Sequence, residues 1–477
     1  MTAAAALRVG WCPGALRPMM SRDGLILRVK PRGMALRADR ASGIAAAARR
    51  HGSGQLELTA RANLQIRGVT EASLPALTVE LDAMGLLDAD AGAETRRNVV
   101  ASPLMGLDPA AAFDVRPAVA ALEAALAGAA GLDALPSKFG FAVADGGAMR
   151  LDDVPADVRF DALPGGRFAV RLDGDGIAAA GCGADELPEM ALRLARAFVE
   201  AAAADAGLHR MRDLVAAVGA GEVLRRATSE AISDRGEPLP SPLSRGAGGE
   251  GEATVPEGGT RDRPLHGTPL APSPQGPISA RRDGYPRTPP HGGEGRRPAS
   301  HAVFDCDVAL GVAAPFGRLD AAQLDALARG AARVGAGELR LTPWRALLVP
   351  GLAPDARARL AADCAAAGLI VDPADPRLRV AACAGAPGCR RGSTPILADA
   401  AALAPLLGPG AGVALHVSGC AKGCAHPGPA PLTLVAAEGR YALVADGTAA
   451  DAPAATGLDL AEAHRLLKTI LRLDRRP

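Results

Sequence analysis

The chain repeats itself. GQLELTARANLQIRGV, starting at Gly54, sets against GELRLTPWRALLVPGL, starting at Gly337, and at the same offset MGLLDADA (from Met84) meets AGLIVDPA (from Ala367). Further on, GGRFAVRLDG from Gly165 matches EGRYALVADG from Glu438, and each is followed by an amphipathic helical pattern, LPEMALRLARAFVEAAA in one copy and LAEAHRLLKTILRL in the other. Similarity at this spacing reads as a pseudo-twofold duplication, which restricts the fold to one whose two units pair as copies.

Each copy opens with a strand, a helix (around residues 39–50 and again 319–333), a second strand and a second helix, then a strand-rich section with a closing helix. Strands and helices mixed in this order predict α+β layers, with helices on one face of antiparallel sheets. Between the copies, residues 234–300 are dominated by Gly and Pro, lack apolar periodicity and contain Tyr285 as their one aromatic. Such a segment buries too little to offset its ordering entropy and is expected to be a disordered linker. The expected units are 1–90, 91–233, the linker 234–300, 301–375 and 376–477.

A net charge of +1 argues against a nucleic-acid or anionic-membrane partner, and 3% aromatic content argues against base-stacking platforms. The start, MTAAAALRVGWCPG, lacks a basic region followed by an apolar run of signal-peptide length, so a cytoplasmic protein is expected. The longest charge-free tract, residues 400–419, is broken by Pro and Gly and contains His416, which makes a membrane span there an unfavourable reading.

In LTARANLQIRG the residues alternate in character. Read as one extended strand, Thr59, Arg61, Asn63, Gln65 and Arg67 share one face and Ala60, Ala62, Leu64 and Ile66 the other. The polar face carries two guanidiniums and no carboxylate to pair with them. In the second copy the positions matching Arg61, Asn63, Gln65 and Arg67 are Trp344, Ala346, Leu348 and Pro350. A merely solvated face would have little reason to turn apolar in its twin, so the first copy has a task the second lacks.

Of the eight cysteines, four crowd into the second copy as Cys383-x5-Cys389 and Cys420-x3-Cys424. Four thiolates on two Gly- and Pro-rich loops suit an iron–sulfur cluster or tetrahedral zinc, and the x5 spacing leans toward iron–sulfur. No Gly-rich fingerprint follows a strand, because GPGAG at Gly408 precedes one, so no nicotinamide or flavin domain is expected.

These spacings, in the closing part of a duplicated chain, resemble the siroheme-dependent sulfite and nitrite reductases. TARANLQIRG resembles their arginine strand, RRNVVASP (Arg96 to Pro103) their following Arg-Asn motif, and LPSKF (Leu135 to Phe139) their lysine loop. The resemblance implies a duplicated α+β architecture in which each half is a ferredoxin-like half-domain followed by an α+β domain. It also implies a [4Fe–4S] cluster on the four cysteines. Carried over residue by residue, Thr59, Arg61, Asn63, Gln65, Arg67, Arg97, Asn98 and Lys138 would face a tetrapyrrole from the first half, with Lys422 beside the cluster loop in the second.

Within that superfamily the chain is most similar to the oxygen-dependent branch of aerobic cobalamin biosynthesis, on CPGALRPMMSRDGLILRV and HVSGCAKGCAHPGPAPLTLVAAEGRYALVADG. That branch implies precorrin-3A and O2 as reactants, with electrons from NADH through a separate donor protein. The sulfite reductases place a second lysine two residues after the one matching Lys138; here that position is Gly140. A ring bordered by acetate and propionate groups calls for several charge-assisted donors, for which arginine's planar fork is suited. Oxygen activation implies a possible additional mononuclear iron, with His416, His426 and Cys12 as candidate ligands. Two alternatives stay open: a nitrite or sulfite reductase that keeps siroheme, and a non-catalytic iron–sulfur or tetrapyrrole carrier.

Overall fold

The computed structural model describes residues 13–176, 179–233, 307–410 and 412–473. The linker expected at 234–300, and Cys12, lie outside the described residues.

Four sheets carry the fold, three of five strands and one of four; the two with fewer strand residues, the small pair, mix strands of both copies, and the large pair do not. The first small sheet runs Met19–Ser21, Gly24–Val29, Leu64–Val69, Gln55–Leu58 and then Arg318–Asp320, a strand that comes from the second copy. The second small sheet runs Ala309–Ala313, Ala346–Pro350, Glu338–Leu341 and then Ala35–Arg37, which comes from the first. Each copy thus lends the other its edge strand, antiparallel, with Leu319 opposite Leu56 and Leu36 opposite Leu339. The helices Ala38–His51 and Ala321–Arg333 follow these lent strands and pack on each other, burying Ala41, Ile44, Ala45 and Ala48 against a face that includes Leu324, Leu327 and Ala328.

The duplication extends to backbone conformation. Ala62 and Arg345 occupy matching positions and both are left-handed, at φ 51° and 59°. Non-glycine residues rarely adopt this region, so a shared outlier marks a shared turn. It also corrects the reading of LTARANLQIRG as one strand. The chain forms a hairpin, Gln55–Leu58 and Leu64–Val69, with Leu58 opposite Leu64. The Thr59 hydroxyl accepts from the amides of Arg61 and Asn63, and the Asn63 carbonyl accepts from the Thr59 amide. Polar side chains every second residue imitated a strand across a turn that contains no Gly or Pro.

The large sheets are Val99–Ala101, Phe141–Ala144, Val158–Leu163, Arg167–Leu172 and Ala180–Gly183 in one copy, and Val380–Ala382, Leu415–Ser418, Ala430–Ala437, Arg440–Gly447 and Ala455–Leu458 in the other. In both, the first three strands are parallel and the last two join antiparallel. The expectation of antiparallel sheets therefore holds for the small pair and fails for the large pair. Parallel neighbours need a crossover, supplied by helix Arg116–Gly128 in the first copy and Ile396–Leu403 in the second. Helices Leu187–Ala204 and Leu460–Leu473 close the two copies. Among the described residues, no helix is long and apolar enough to cross a membrane.

Candidate functional site

Val380–Ala382 and Leu415–Ser418 are adjacent parallel strands, so their carboxyl ends lie at the same edge of the sheet. Cys383 leaves the first strand and Cys420 follows the second by one intervening residue, which brings both cysteine pairs to that edge. Carboxyl ends of parallel strands are where α/β sheets build ligand sites.

All four cysteines are free thiols, Cys383, Cys389 and Cys420 half-buried and Cys424 exposed. Burial raises the thiol pKa of Cys383, and the neighbouring Cys389 and Cys420 add to the rise. Burial also raises that of Cys424, with Lys422 opposing and Cys420, Cys383 and Cys389 adding. The four thiols therefore share one neighbourhood. Without a metal Cys383 and Cys424 are costly to ionise; a metal would favour the thiolates.

The loops pack closely through their glycines. The Gly419 amide donates to Cys383 Sγ at 3.1 Å, and a Cβ on Gly419 would sit 3.3 Å from that sulfur. Gly385 is left-handed, and a Cβ there would lie 2.6 Å from Ile396, so these loops close over one another only as glycines. His416 is fully buried beside them, with both ring nitrogens lacking a hydrogen-bond partner, and burial lowers its pKa to about 4, with His426 and Arg345 adding. Its ring meets His426 edge-on at 5.8 Å between centroids, and His426 Nε2 lies 3.1 Å from the Pro429 carbonyl. Among the described residues, no three His, Cys, Asp or Glu are arranged to hold a metal ion. The two histidines thus gain no visible third partner for a mononuclear iron.

In the first copy, Asn98 and Lys138 precede adjacent parallel strands, and the Asn98 amide donates to the Phe139 carbonyl at 2.7 Å. Arg61, from the hairpin turn, donates to the carbonyls of Ser137 and Lys138 at 3.4 and 2.9 Å, joining the arginine motif to the lysine loop. Gln65 accepts from Arg28 Nη2 at 2.8 Å once its amide is oriented to satisfy both partners. Lys138 and Lys422 are exposed.

Two arginines depart from the sequence reading. Arg67 is not without a partner: Asp23 grips it with two bonds of 2.9 Å and Glu57 takes a third at 3.3 Å. Arg97 is 4% exposed and is held by both Asp88 oxygens at 2.8 Å and by Glu123 at 3.3 Å. Single-strand periodicity could not reveal these carboxylates, which come from a neighbouring turn (Asp23), a neighbouring strand (Glu57), a loop (Asp88) and a distant helix (Glu123).

Sequence reasoning also missed Arg28 and Lys30. They alternate along and just beyond Gly24–Val29, and Arg28 is opposite Gln65. Burial lowers the Lys30 pKa to about 8, Glu94 opposing and Arg28, Arg97 and Arg61 adding, so four cations gather here. The scarcity of lysine in this chain was the available signal, since Lys30 is one of only four, with Lys138, Lys422 and Lys468.

The comparisons agree with this geometry. Residues 17–84 and 305–367 each match the nitrite/sulfite reductase ferredoxin-like half domain, the two small-sheet units. A precorrin-3B synthase of Sinorhizobium sp is 30% identical over 458 residues, covering 94% of this chain and 86% of that protein. A ferredoxin–nitrite reductase of Synechococcus elongatus is 33% identical over 118 residues, 24% of this chain and 22% of its own length. The Mycobacterium tuberculosis NirA protein matches in structure with a TM-score of 0.63 at 17% identity, covering 95% of this chain and 81% of that one, a likeness of fold. The duplicated halves, their exchanged strands and the end-to-end similarity converge: the chain belongs to the precorrin-3B synthase family, within the nitrite/sulfite reductase superfamily.

Proposed function

We propose that the chain hydroxylates precorrin-3A at C20, with closure of a γ-lactone by an acetate side chain, in aerobic cobalamin biosynthesis. One atom of O2 enters the product and the other leaves as water, with two electrons drawn from NADH through a separate donor protein and two protons taken up from solvent. The observation that carries this reading over a sulfite reductase is Gly140. A Cβ there would lie 3.0 Å from the Asn98 amide nitrogen, and the Gly140 amide is tied to Asp157 at 2.9 Å. The position at which the sulfite reductases keep a second lysine accepts a side chain only if the Asn98 amide gives by a few tenths of an ångström. A pocket short of that cation is poorly suited to holding sulfite for proton-coupled reduction.

In this reading Thr59, Arg61, Asn63, Gln65, Asn98, Lys138 and Lys422 line the substrate, with Arg28 and Lys30 supplying further positive charge. Arg61 and Lys138 are the groups best placed to meet ring carboxylates, since Arg61 is only partly buried and Lys138 is exposed. Arg67 and Arg97 would each have to release a carboxylate to do the same. Cys383, Cys389, Cys420 and Cys424 would hold a [4Fe–4S] cluster, which supplies one-electron transfer and no open coordination position.

The test is a single incubation of anaerobically purified protein with precorrin-3A, a reductant and isotopically labelled dioxygen, followed by mass analysis. Label in a hydroxylated lactone is the expected result. Substrate returned unlabelled sinks the proposal, and absorption bands of a retained isobacteriochlorin would point instead to the siroheme reductase.

A further inference from the structure

We infer that Arg67 is a positioning residue of the cysteine centre, clamping the Cys383–Cys389 loop of the second copy onto the first copy's hairpin. The inference rests on the reading that the four cysteines hold a cluster, and it gives Arg67 a role other than gripping a tetrapyrrole.

The Gly388 carbonyl, one residue before Cys389, accepts from Arg67 Nη2 at 3.1 Å and from the Ser21 hydroxyl at 2.8 Å. Gly388 is buried, and a Cβ there would touch Arg67 Nη2 at 3.4 Å and Asp23 Oδ2 at 3.5 Å, which places the clamp directly on this residue. Arg67 is itself fixed. Asp23 holds its Nε and Nη2, Glu57 holds its Nη1, and Glu57 is held in turn by Arg318 at 2.9 Å from the lent strand Arg318–Asp320. The guanidinium is 4% exposed. Two arginines against two carboxylates leave this network without net charge, so its effect on the loop is geometric.

The consequence for Cys389 follows from the peptide geometry. Fixing the Gly388 carbonyl fixes the plane of the Gly388–Cys389 peptide, while the Cys389 amide donates to Gly385 at 2.7 Å. The thiol is then presented from a segment held at both ends. Residues that orient metal ligands from outside act on retention of the metal as well as on its chemistry.

Arg67→Met removes the donor while keeping an unbranched apolar stem. After anaerobic reconstitution with iron and sulfide, the wild type and the variant are compared by the rate of iron loss to a chelator and by the electron paramagnetic resonance spectrum of the reduced protein. Tetrapyrrole affinity and far-ultraviolet circular dichroism are recorded alongside. The expected result is iron loss about tenfold faster or more, on the scale of outer-shell effects, with an altered spectrum, unchanged tetrapyrrole affinity and partial rescue by Arg67→Lys. Unchanged iron loss and spectrum with weakened tetrapyrrole binding overturns the inference and returns Arg67 to the substrate. If Arg67→Met does not fold, Ser21→Ala removes the shorter bond to the same carbonyl together with a long 3.4 Å contact from Arg67 Nη2, and leaves the Arg67–Gly388 bond in place. Faster iron loss in that variant supports the clamp, and wild-type behaviour overturns it. Failure of the wild type to take up iron and sulfide overturns the cluster reading itself, an outcome distinct from a wild type and variant that hold the cluster equally.

Discussion

Arg97→Met separates a structural arginine from a substrate ligand. The guanidinium side chain is 3% exposed and lies between Asp88 at 2% and Glu123 at 6%. Breaking a buried pair by removing one partner costs about 3–5 kcal/mol, because the remaining charge is left uncompensated. Each carboxylate here keeps one other contact: Asp88 retains Arg32 at 3.2 Å, and Glu123 retains the Gly33 amide at 3.0 Å. The loss should therefore lie at the lower end, about 3 kcal/mol. Urea denaturation should show a lower midpoint with an unchanged slope. The pH dependence has a sign. Burial already raises the Glu123 pKa, and losing Arg97 raises it further, so the folded variant binds a proton that the unfolded chain does not. Stability then falls as pH rises through the carboxylate range, and the deficit is larger at neutral than at acid pH. A loss under about 1 kcal/mol, the scale of exposed pairs, together with a sharp fall in tetrapyrrole affinity, would refute this reasoning.

Cys424→Ser removes the most exposed of the four thiols; it should abolish the visible absorbance of the reconstituted protein while circular dichroism shows the chain folded. Arg61→Ala should weaken tetrapyrrole binding by about tenfold or more, as for loss of a charge-assisted bond worth ~1.5–3 kcal/mol. Its effect on the urea midpoint should be small, because Arg61 is only partly buried. Lys30 has a folded pKa of about 8 against an ordinary 10.5, so between those values the unfolded chain binds more protons. Stability from this group should rise with pH across that window, and Lys30→Met should remove the rise in denaturation midpoints measured at its two ends.

Legibility from sequence followed the range of the interactions concerned. The duplication, the closing helices and the cysteine loops were readable because each is written in contiguous residues. Cys383-x5-Cys389 and Cys420-x3-Cys424 need only two parallel strands to bring them together, and Val380–Ala382 with Leu415–Ser418 does so. The hairpin inside LTARANLQIRG was hidden because its reversal uses Ala62 at φ 51° and a Thr59 hydroxyl, where a turn usually declares itself by Gly or Pro. The partners of Arg67 and Arg97 were hidden because Asp23, Glu57 and Asp88 reach them through tertiary structure. Parallel order in the large sheets was unreadable for a similar reason, since strand direction is set by crossovers and not by the strands' own residues.

The lent strands bear on how such a chain can be divided. Arg318–Asp320 completes the first small sheet, and Ala35–Arg37 completes the second. A fragment carrying either copy alone would expose the backbone of Gln55–Leu58 or of Glu338–Leu341 as an open, hydrogen-bond-hungry margin. Two such fragments made separately would each be ill-behaved, and mixed together each would offer the strand the other lacks. The duplicated ancestor implied by this symmetry is then most simply pictured as a single-copy chain that traded strands with its own twin.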